Sequence, residues 1–358
     1  MWPDTKLLDL LAIAHPIIQA PMAGATNPVV VAAVSNAGGL GSLGAAGLAP
    51  PRLREAIKAI RERTDRPFNI NLFAGHTEQF DRNARPGPRL AQQLAAYHAE
   101  FGLGHVPEPG PLFGPFDEQL DVLVEEAVPV ISVHFGTDAE TVARARAAGA
   151  KILCSATTVD EAKLLEQAGV DAVIAQGGEA GGHRGTFLVD YKRALIGTMA
   201  LVPQIVDAVA IPVIAAGGVM DARGVVASFA LGASAVQMGT AFLGCPEMPV
   251  LDAWRASLRS AGAQDTIVTE AISGRPARGL RNRYIEEVEA LGEDFLPYPA
   301  QYSVSRELRK AAAERNDREF MSMWAGQGVG LMRGLPVDEF MHELIDASRN
   351  LMGRMGKV

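Results

Sequence analysis

The feature that most constrains the fold is a repeated alternation between short apolar segments and longer segments of helical periodicity. Segments such as 51–63, 139–148, 159–169 and 222–231 carry apolar residues at helical spacing. Between them lie eight short runs rich in branched apolar residues, at 16–21, 40–43, 68–72, 128–134, 152–155, 172–176, 212–216 and 235–238. Strands that are apolar on both faces are typical of a parallel sheet covered by helices. Eight such units in about 250 residues predict an α/β fold, a closed (β/α)8 TIM barrel, with an open doubly wound sheet as the alternative.

Two loops and the C-terminal region depart from this alternation. A Pro- and Gly-rich insertion, 75–114, follows the third predicted strand, and a glycine-rich loop, 177–191, follows the sixth. Loops at the carboxyl ends of barrel strands build the active sites of such barrels. We therefore predict a barrel domain at 1–263 that includes the insertion, a mainly helical cap at 264–340, and a C-terminal helical segment at 341–358 that can return to the barrel.

Charge and cysteine content narrow the range of partners. The 358-residue chain has a net charge of −8, which is poorly suited to binding nucleic acid or an anionic membrane. Its two cysteines, Cys154 and Cys245, form no CxxC or Cys/His pattern, so neither a disulfide framework nor a zinc site is predicted. No apolar run reaches the ~18 residues of a membrane span, and no signal-peptide pattern is present. The sequence therefore predicts a cytoplasmic protein that acts on small molecules.

Glycines lie at the ends of the last two predicted strands. Gly217 and Gly218 end the seventh strand, and the eighth ends in QMGT at 237–240. Glycine permits close approach of a ligand to the backbone, and unpaired N–H groups near a helix start favour an anion. Barrels commonly bind phosphate in the loops after these two strands, so the sequence predicts a phosphate site there.

The other strand ends carry neutral groups. Met22 follows the first strand, Asn71 lies at the end of the third, and Gln176 ends the sixth. No strand end offers a lysine for a Schiff base or a cluster of carboxylates for a metal. Amide side chains around a phosphate site suit the edges of a planar heterocycle, which indicates a bound organic cofactor.

Two histidines are candidates for chemistry. His183 lies in QGGEAGGHRG, where five of ten residues are glycine, and its imidazole is suited to proton transfer near neutral pH. His134 ends the fourth predicted strand. It is predicted either to face the pocket or to form hydrogen bonds only within the barrel.

The cap contains two patterns of interest. Tyr298, Tyr302 and Arg306 are spaced four residues apart, so a helix that begins near Pro299 would place them on one face, able to hold a small anion. A packed helix face with a solvated arginine is the alternative. The Arg-rich run RPARGLRNR, 275–283, is expected to be a loop fixed to the barrel by salt bridges, and attraction of anionic substrates is its alternative role.

Together these segments resemble the nitronate monooxygenases, formerly called 2-nitropropane dioxygenases. The resemblance covers essentially the whole chain and rests on QAPMAG, NAGGLGSLGAAG, NINLFAG, SVHFG, QGGEAGGHRG, IAAGGV and GASAVQMGTAFL. It implies an FMN-dependent (β/α)8 barrel with a helical cap. It also implies oxidation of alkyl nitronates with O2 to a carbonyl compound and nitrite.

The resemblance also implies roles for individual residues. His183 is the implied catalytic residue. The cofactor site is expected to comprise Met22, Asn71, Gln176, Gly181, Gly217, Gly218, Gln237, Met238, Gly239 and Thr240. His134, Tyr298, Tyr302 and Arg306 resemble the substrate site of the branch called class I, whose preferred substrate is the respiratory toxin propionate 3-nitronate. In that branch a lysine is expected where Arg306 stands.

Several alternatives remain open at this point. The same superfamily contains FMN-dependent reductases that use NAD(P)H, namely enoyl-acyl-carrier-protein reductases and NADH:quinone reductases. A non-redox isomerase or synthase acting on a sugar phosphate is an alternative from another class. Either a monomer or a homodimer fits the sequence.

Overall fold

The computed structural model describes residues 2–75, 81, 83–110 and 114–355, and a parallel sheet lies at its centre. The strands are β1 (Ile17–Gln19), β2 (Gly41–Gly44), β3 (Phe68–Phe73), β4 (Val130–His134), β5 (Lys151–Ala156), β6 (Ala172–Gln176), β7 (Gly182–His183), β8 (Val213–Ala216), β9 (Ala235–Met238), β10 (Thr266–Thr269) and β11 (Ala277–Leu280). Eight of them form one parallel sheet in the order β1-β9-β8-β6-β5-β4-β3-β2. A parallel bridge between Ile18 and Leu40 joins the two edges. The predicted (β/α)8 barrel is therefore confirmed, and the open sheet is wrong.

Helices surround the barrel and build the cap. They are α1 (Lys6–Leu11), α2 (Pro28–Asn36), α3 (Pro50–Arg61), α4 (Pro88–Phe101), α5 (Phe116–Glu125), α6 (Ala139–Ala147), α7 (Val159–Ala168), α8 (Thr198–Val206), α9 (Ala222–Ala230), α10 (Thr240–Leu243), α11 (Asp252–Ser260), α12 (Arg283–Glu289), α13 (Ala300–Val304), α14 (Arg306–Glu314) and α15 (Val337–Met355). Several of these helices begin next to a side chain that caps the first turn. Asn27 and Asp138 cap α2 and α6, and Thr158 forms a capping box with Glu161 at the start of α7. In the described residues, no helix is long and apolar enough to cross a membrane.

The insertion after β3 contains α4. This helix lies against α14 of the cap. Residues 76–80, 82 and 111–113 of the predicted insertion lie outside the described residues.

A small antiparallel sheet links the barrel to the cap. Strand β11 pairs with β10 on one side and with β7 on the other. In this second pairing Ala277 lies opposite His183 and Arg278 lies opposite Gly182. The sequence did not predict this sheet, and the expectation of a loop in the Arg-rich run is wrong because residues 277–280 form β11. The cap thus fixes the backbone of the loop that carries His183.

The last helix packs on the barrel. Helix α15 contacts α2 and α9, the helices that follow β1 and β8. Its buried face carries Phe340, Met341, Leu344 and Ile345, and the Phe340 ring lies edge-on to Phe242 with the ring centroids 5.1 Å apart. Since α2 and α9 lie on the outside of the barrel, α15 fills the position of its eighth outer helix.

Removal of one aromatic ring from this interface tests its contribution to stability. We expect Phe340→Ala to lower the free energy of unfolding by about 3–5 kcal/mol, because the 2% exposed ring leaves a cavity when truncated. Denaturant unfolding followed by circular dichroism measures this change. Glu339→Ala on the exposed side of the same helix is the control, and an equal effect of the two substitutions would contradict the packing described.

Candidate active site

A cavity of about 490 Å³ opens at the carboxyl ends of the barrel strands, beneath the cap. The predicted site residues that line it are Met22, Asn71, His134, Gln176, Gly181, His183, Gly217, Gly218, Gln237, Gly239, Thr240, Tyr298, Tyr302 and Arg306. Met238 is the exception, because its side chain is 1% exposed and lies in the hydrophobic core. Side chains alternate along a strand, so Gln237 faces the barrel interior and Met238 faces the surrounding helices. The structure thus brings together groups that lie more than 250 positions apart in the sequence, such as Met22 and Arg306.

A buried arginine fixes the loop that follows β6. The Arg184 side chain is fully buried, and its guanidinium donates hydrogen bonds to the carbonyl oxygens of Gln176, Gly177 and Ala194 at 2.8, 2.6 and 3.2 Å. Burial and the nearby Arg278 lower the pKa of Arg184 to about 10, so it is still charged at neutral pH. Arg278 donates from Nε and Nη2 to the carbonyl oxygen of Gly178. Guanidinium groups therefore hold three consecutive backbone carbonyls of this loop.

Two glutamates hold the flanks of the same loop. The Glu179 carboxylate accepts from the backbone N–H and the hydroxyl of Thr198, at the start of α8. The buried Glu161 carboxylate accepts from the Thr186 hydroxyl at 2.9 Å and from the Phe187 N–H at 2.7 Å. Each carboxylate binds several donors, which compensates for its removal from water. The glycine-rich loop is consequently ordered rather than free.

His183 presents one ring nitrogen to the cavity and one to the protein. Its Nε2 lies 3.0 Å from the hydroxyl oxygen of Ser273. Its backbone carbonyl accepts hydrogen bonds from Gln176 Nε2 and His134 Nε2, at 3.0 and 3.1 Å. Within the described residues no group hydrogen-bonds to Nδ1, and this atom is not enclosed by protein. Since His183 lines the cavity, Nδ1 is the atom available to a ligand.

His134 both lines the cavity and forms hydrogen bonds within the barrel. Because the His183 carbonyl only accepts, His134 Nε2 is the donor in their contact. Its Nδ1, 3.0 Å from the Ser155 hydroxyl, therefore accepts. Both ring nitrogens are engaged, so His134 supports the loop that carries His183.

Both imidazoles are held neutral. Burial is the main cause that lowers the pKa of His183 to about 3, and electrostatic interactions with His134 and Arg275 add to it. Burial is also the main cause that lowers the pKa of His134 to about 4, and the bond to the His183 carbonyl opposes it in part. The Arg275 guanidinium lies 3.8 Å from the centre of the Phe135 ring and donates to the Thr186 carbonyl. The positive charge of Arg275 thus disfavours protonation of both histidines.

The prediction that salt bridges fix the Arg-rich run to the barrel is wrong for Arg275, which is half-buried, and for Arg278, which is buried. Arg275 and Arg278 pair with backbone carbonyls, and Arg278 also donates to the Thr266 hydroxyl. Among the described ion pairs, this run contributes through Arg283, on the cap surface, which pairs with Glu100 and Glu287. The reason is that β11 directs Arg278 into the protein, where backbone carbonyls of the glycine-rich loop lie within reach.

The cap wall of the cavity is built from two short helices instead of the one predicted. Helix α13 ends at Val304, and α14 begins at Arg306 after a break at Ser305. The prediction of one continuous helix face is therefore wrong, although Tyr298, Tyr302 and Arg306 all line the cavity. Arg309 also lines it, stacked 3.5 Å from the centre of the Tyr302 ring.

Aromatic rings surround His183. The Tyr298 ring lies edge-on to the imidazole at 5.6 Å between ring centroids, and the Trp324 ring lies at 5.5 Å. Phe73 is a third ring, at 6.2 Å. Burial raises the pKa of Tyr298, which keeps its phenol protonated. The imidazole therefore stands in a largely apolar environment with a neutral hydroxyl nearby.

Residues 324–328, Trp-Ala-Gly-Gln-Gly, form a strap over the glycine-rich loop that the sequence analysis missed. The N–H of Gly326 donates to Thr240 Oγ1 at 2.9 Å, and the N–H of Gln327 donates to the Glu179 carbonyl. A Cβ on Gly181 would lie 2.6 Å from the backbone N of Gly326, so this crossing requires glycine. The two closely spaced glycines of this strap were the available signal.

The floor of the cavity has groups that suit an organic cofactor. Oε1 of Gln237 is enclosed and has no hydrogen-bond partner among the described residues, as expected for an atom that a bound group contacts. Gly217 and Gly218 have φ of 118° and 71°, values that favour glycine and shape an open strand end. The described residues contain no group of three potential metal ligands. The donors and acceptors present therefore suit a cofactor with polar ring edges.

Comparisons with a family model and with individual proteins lead to the same family. The family model described as nitronate monooxygenase matches residues 4–347. A nitronate monooxygenase from Pseudomonas aeruginosa is 45% identical over 349 residues, which cover 96% of this chain and 99% of that protein. A probable nitronate monooxygenase from Staphylococcus aureus strain Newman is 40% identical over 356 residues, covering 98% and 99%.

Solved structures also resemble this chain. A nitroalkane oxidase from Streptomyces ansochromogenes superposes with a TM-score of 0.88 at 38% identity, covering 98% of this chain and 99% of that one. FabK from Thermotoga maritima superposes with a TM-score of 0.78 at 32% identity, covering 99% of each chain. Both similarities extend over the barrel and the cap.

The neutral histidines predict a specific pH dependence of stability. Their folded pKa values, about 4 and about 3, lie below the ordinary value of 6.5, so the unfolded chain binds protons first as the pH falls. Their contribution to stability is complete above pH 6.5 and is lost as the pH falls towards 4. Each imidazole adds up to about 1.4 kcal/mol per pH unit to the slope.

Denaturant unfolding between pH 7 and pH 5 measures this slope. We expect His134→Gln to have a smaller slope than the wild type. His342→Gln, which changes an exposed histidine on α15, is the matched comparison, and the slope of His134→Gln is expected to lie below that of His342→Gln. A wild-type slope in His134→Gln would contradict the neutral buried state.

Proposed function

The chain belongs to the nitronate monooxygenase family, and on that premise we propose that it is an FMN-dependent enzyme that oxidises anionic alkyl nitronates with O2 to a carbonyl compound and nitrite. The charge of the cavity is the observation that carries the proposal. Arg306 and Arg309 are the ionised side chains among the described residues that line it, and no aspartate or glutamate does. A cavity whose only full charges are positive favours an anionic ligand.

FMN fits the floor of the cavity. In this proposal Asn71, Gln176 and Gln237 present amide groups to the edges of its ring, and the glycines at the ends of β8 and β9 leave room for its phosphate. When bound, FMN supplies the one-electron oxidation of the nitronate. The protein supplies binding, orientation and a shielded environment for the reactants.

His183 acts as a neutral hydrogen-bonding group. With a pKa of about 3, its imidazole is a weak base for the α-proton of a neutral nitroalkane. A nitronate has already lost that proton and carries a delocalised negative charge, which an N–H donor can orient. The proposed substrate is therefore the nitronate anion, which His183 holds through Nδ1, its accessible ring nitrogen.

The cap supplies a second anchor for the substrate. Arg306 is exposed and lines the cavity at the start of α14. A guanidinium binds a carboxylate with two parallel hydrogen bonds. Propionate 3-nitronate carries a nitronate at one end and a carboxylate at the other, so it matches His183 and Arg306 together. We propose it as the preferred substrate, which implies a role in detoxification.

Two measurements test the proposed function. Heat-released flavin from the purified protein is expected to be FMN, identified by chromatography against FMN and FAD standards. Nitrite is expected to form in air after addition of propionate 3-nitronate. Rapid anaerobic bleaching of the flavin by NADH or NADPH, with no nitrite formed in air, would instead identify a reductase and overturn the proposal.

Substitution of Arg306 tests the second anchor. We expect Arg306→Ala to raise KM for propionate 3-nitronate about 10- to 100-fold, because a charged hydrogen-bonded pair contributes about 1.5–3 kcal/mol. KM for propyl 1-nitronate, which has no carboxylate, is expected to change little. Arg306→Lys retains the charge, so its KM for propionate 3-nitronate is expected to lie between that of the wild type and that of Arg306→Ala.

The control for this series is Lys310→Ala, which removes an exposed cation from the same helix. It is expected to leave both KM values unchanged. Equal effects of Arg306→Ala on the two substrates would show that Arg306 does not bind the carboxylate.

A further inference from the structure

Ser273 lies directly against the catalytic candidate His183, although the two residues are 90 positions apart. Ser273 is 0% exposed and stands in the turn between β10 and β11. Its hydroxyl oxygen lies 3.0 Å from His183 Nε2 and 2.9 Å from the carbonyl oxygen of Arg275. It also accepts a hydrogen bond from the Arg275 N–H at 3.3 Å. The hydroxyl therefore has three neighbours and one proton to donate.

The position of that proton determines which nitrogen of His183 carries hydrogen. If the hydroxyl donates to the Arg275 carbonyl, Nε2 must be the donor to Ser273, and Nδ1 faces the cavity as an acceptor. If the hydroxyl rotates and donates to Nε2, the imidazole proton lies on Nδ1 and is presented to the cavity. Because the pKa of His183 is about 3, both states are neutral and they differ only in tautomer.

The turn holds Ser273 at a fixed place relative to His183. Gln301 Nε2 donates to the Ala271 carbonyl at 2.8 Å, and the N–H of Gly274 donates to the Glu270 carbonyl. A Cβ on Gly274 would lie 2.1 Å from the Leu296 carbonyl oxygen, so the turn is closely packed. The strand that follows pairs Ala277 with His183 itself. The hydroxyl and the imidazole thus belong to one rigid unit.

We propose that Ser273 is a positioning residue that selects the His183 tautomer according to the charge of the ligand. With an anion in the cavity, the Ser273 hydroxyl donates to Nε2, and Nδ1–H donates to the anion. The opposite tautomer would direct a lone pair at a negative charge. This inference rests on the proposed function, because it assigns the bound anion to the nitronate.

Nitrogen NMR of the FMN-loaded protein with ¹⁵N-labelled histidine tests the proposal. Nitrate is the probe, because it is planar and anionic like a nitronate head but is not oxidised. In the wild type with nitrate bound, we expect His183 to carry its proton on Nδ1. An Nε2–H tautomer in that complex would overturn the proposal, and this observation needs no variant. The same spectra of Ser273→Ala are expected to show loss of the Nδ1–H preference, and a tautomer unchanged from the wild type would also overturn it.

Kinetics give a second readout of the same variants. Ser273→Ala is expected to lower kcat/KM for propionate 3-nitronate about 10- to 100-fold, as loss of an oriented group does. Ser273→Cys keeps a weak donor and is expected to recover part of this loss. Ser348→Ala removes another fully buried hydroxyl, which bonds within α15, and is expected to keep wild-type activity. A wild-type kcat/KM in Ser273→Ala contradicts the positioning role.

The two proposals fail in different ways. If the wild type releases no nitrite from any nitronate, the proposed function fails, whereas the tautomer measured with nitrate still reports on Ser273. If nitrite is released normally but the tautomer with nitrate is Nε2–H, only the role of Ser273 fails.

Discussion

The site depends on a buried arginine that, in the described part of the chain, pairs with backbone carbonyls and not with a carboxylate. Arg184 donates its hydrogen bonds to three backbone carbonyls, and in doing so it shapes the loop between β6 and α8. Removal of the guanidinium would take a charged donor from each of these carbonyls, at a cost of about 1–3 kcal/mol each, although the Gly177 carbonyl would keep its bond from the Ala180 N–H. Because His183 is the residue before Arg184, the same bonds fix the imidazole over the cavity. A loop with five glycines in ten residues thereby becomes a rigid support.

The same arginines determine the electrostatic character of the site. Arg184, Arg275 and Arg278 are positive charges that the protein solvates with carbonyl and hydroxyl oxygens. Burial is the main cause that lowers the pKa of His134 and of His183 and keeps both imidazoles neutral; the Arg275 charge adds to it at both histidines, and the Arg184 charge adds to it at His134. A neutral imidazole among cations is well suited to bind an anion and poorly suited to remove a proton from carbon. This electrostatic arrangement supports the choice of a nitronate over a nitroalkane.

Much of the fold and part of the site follow from local patterns in the sequence. Apolar runs separated by helical segments predict the barrel, and strand ends such as Gln176 and Gln237 predict where the cavity lies. The contacts that complete the site are long-range and leave no local pattern. Ser273 meets His183 through a turn in the cap, and the strap at 324–328 crosses the glycine-rich loop. The break at Ser305 was missed because spacing alone does not show where a helix ends.

The site is proposed to select an anion because His183 is neutral and because the charged side chains that line the cavity, Arg306 and Arg309, are positive. The most direct test compares kcat/KM for a nitronate and for its parent nitroalkane on one preparation of the flavin-loaded protein. The two forms interconvert slowly in water, so each can be assayed separately. Rapid oxidation of the nitronate and little oxidation of the nitroalkane are expected. Equal kcat/KM values, or a preference for the nitroalkane, would contradict it.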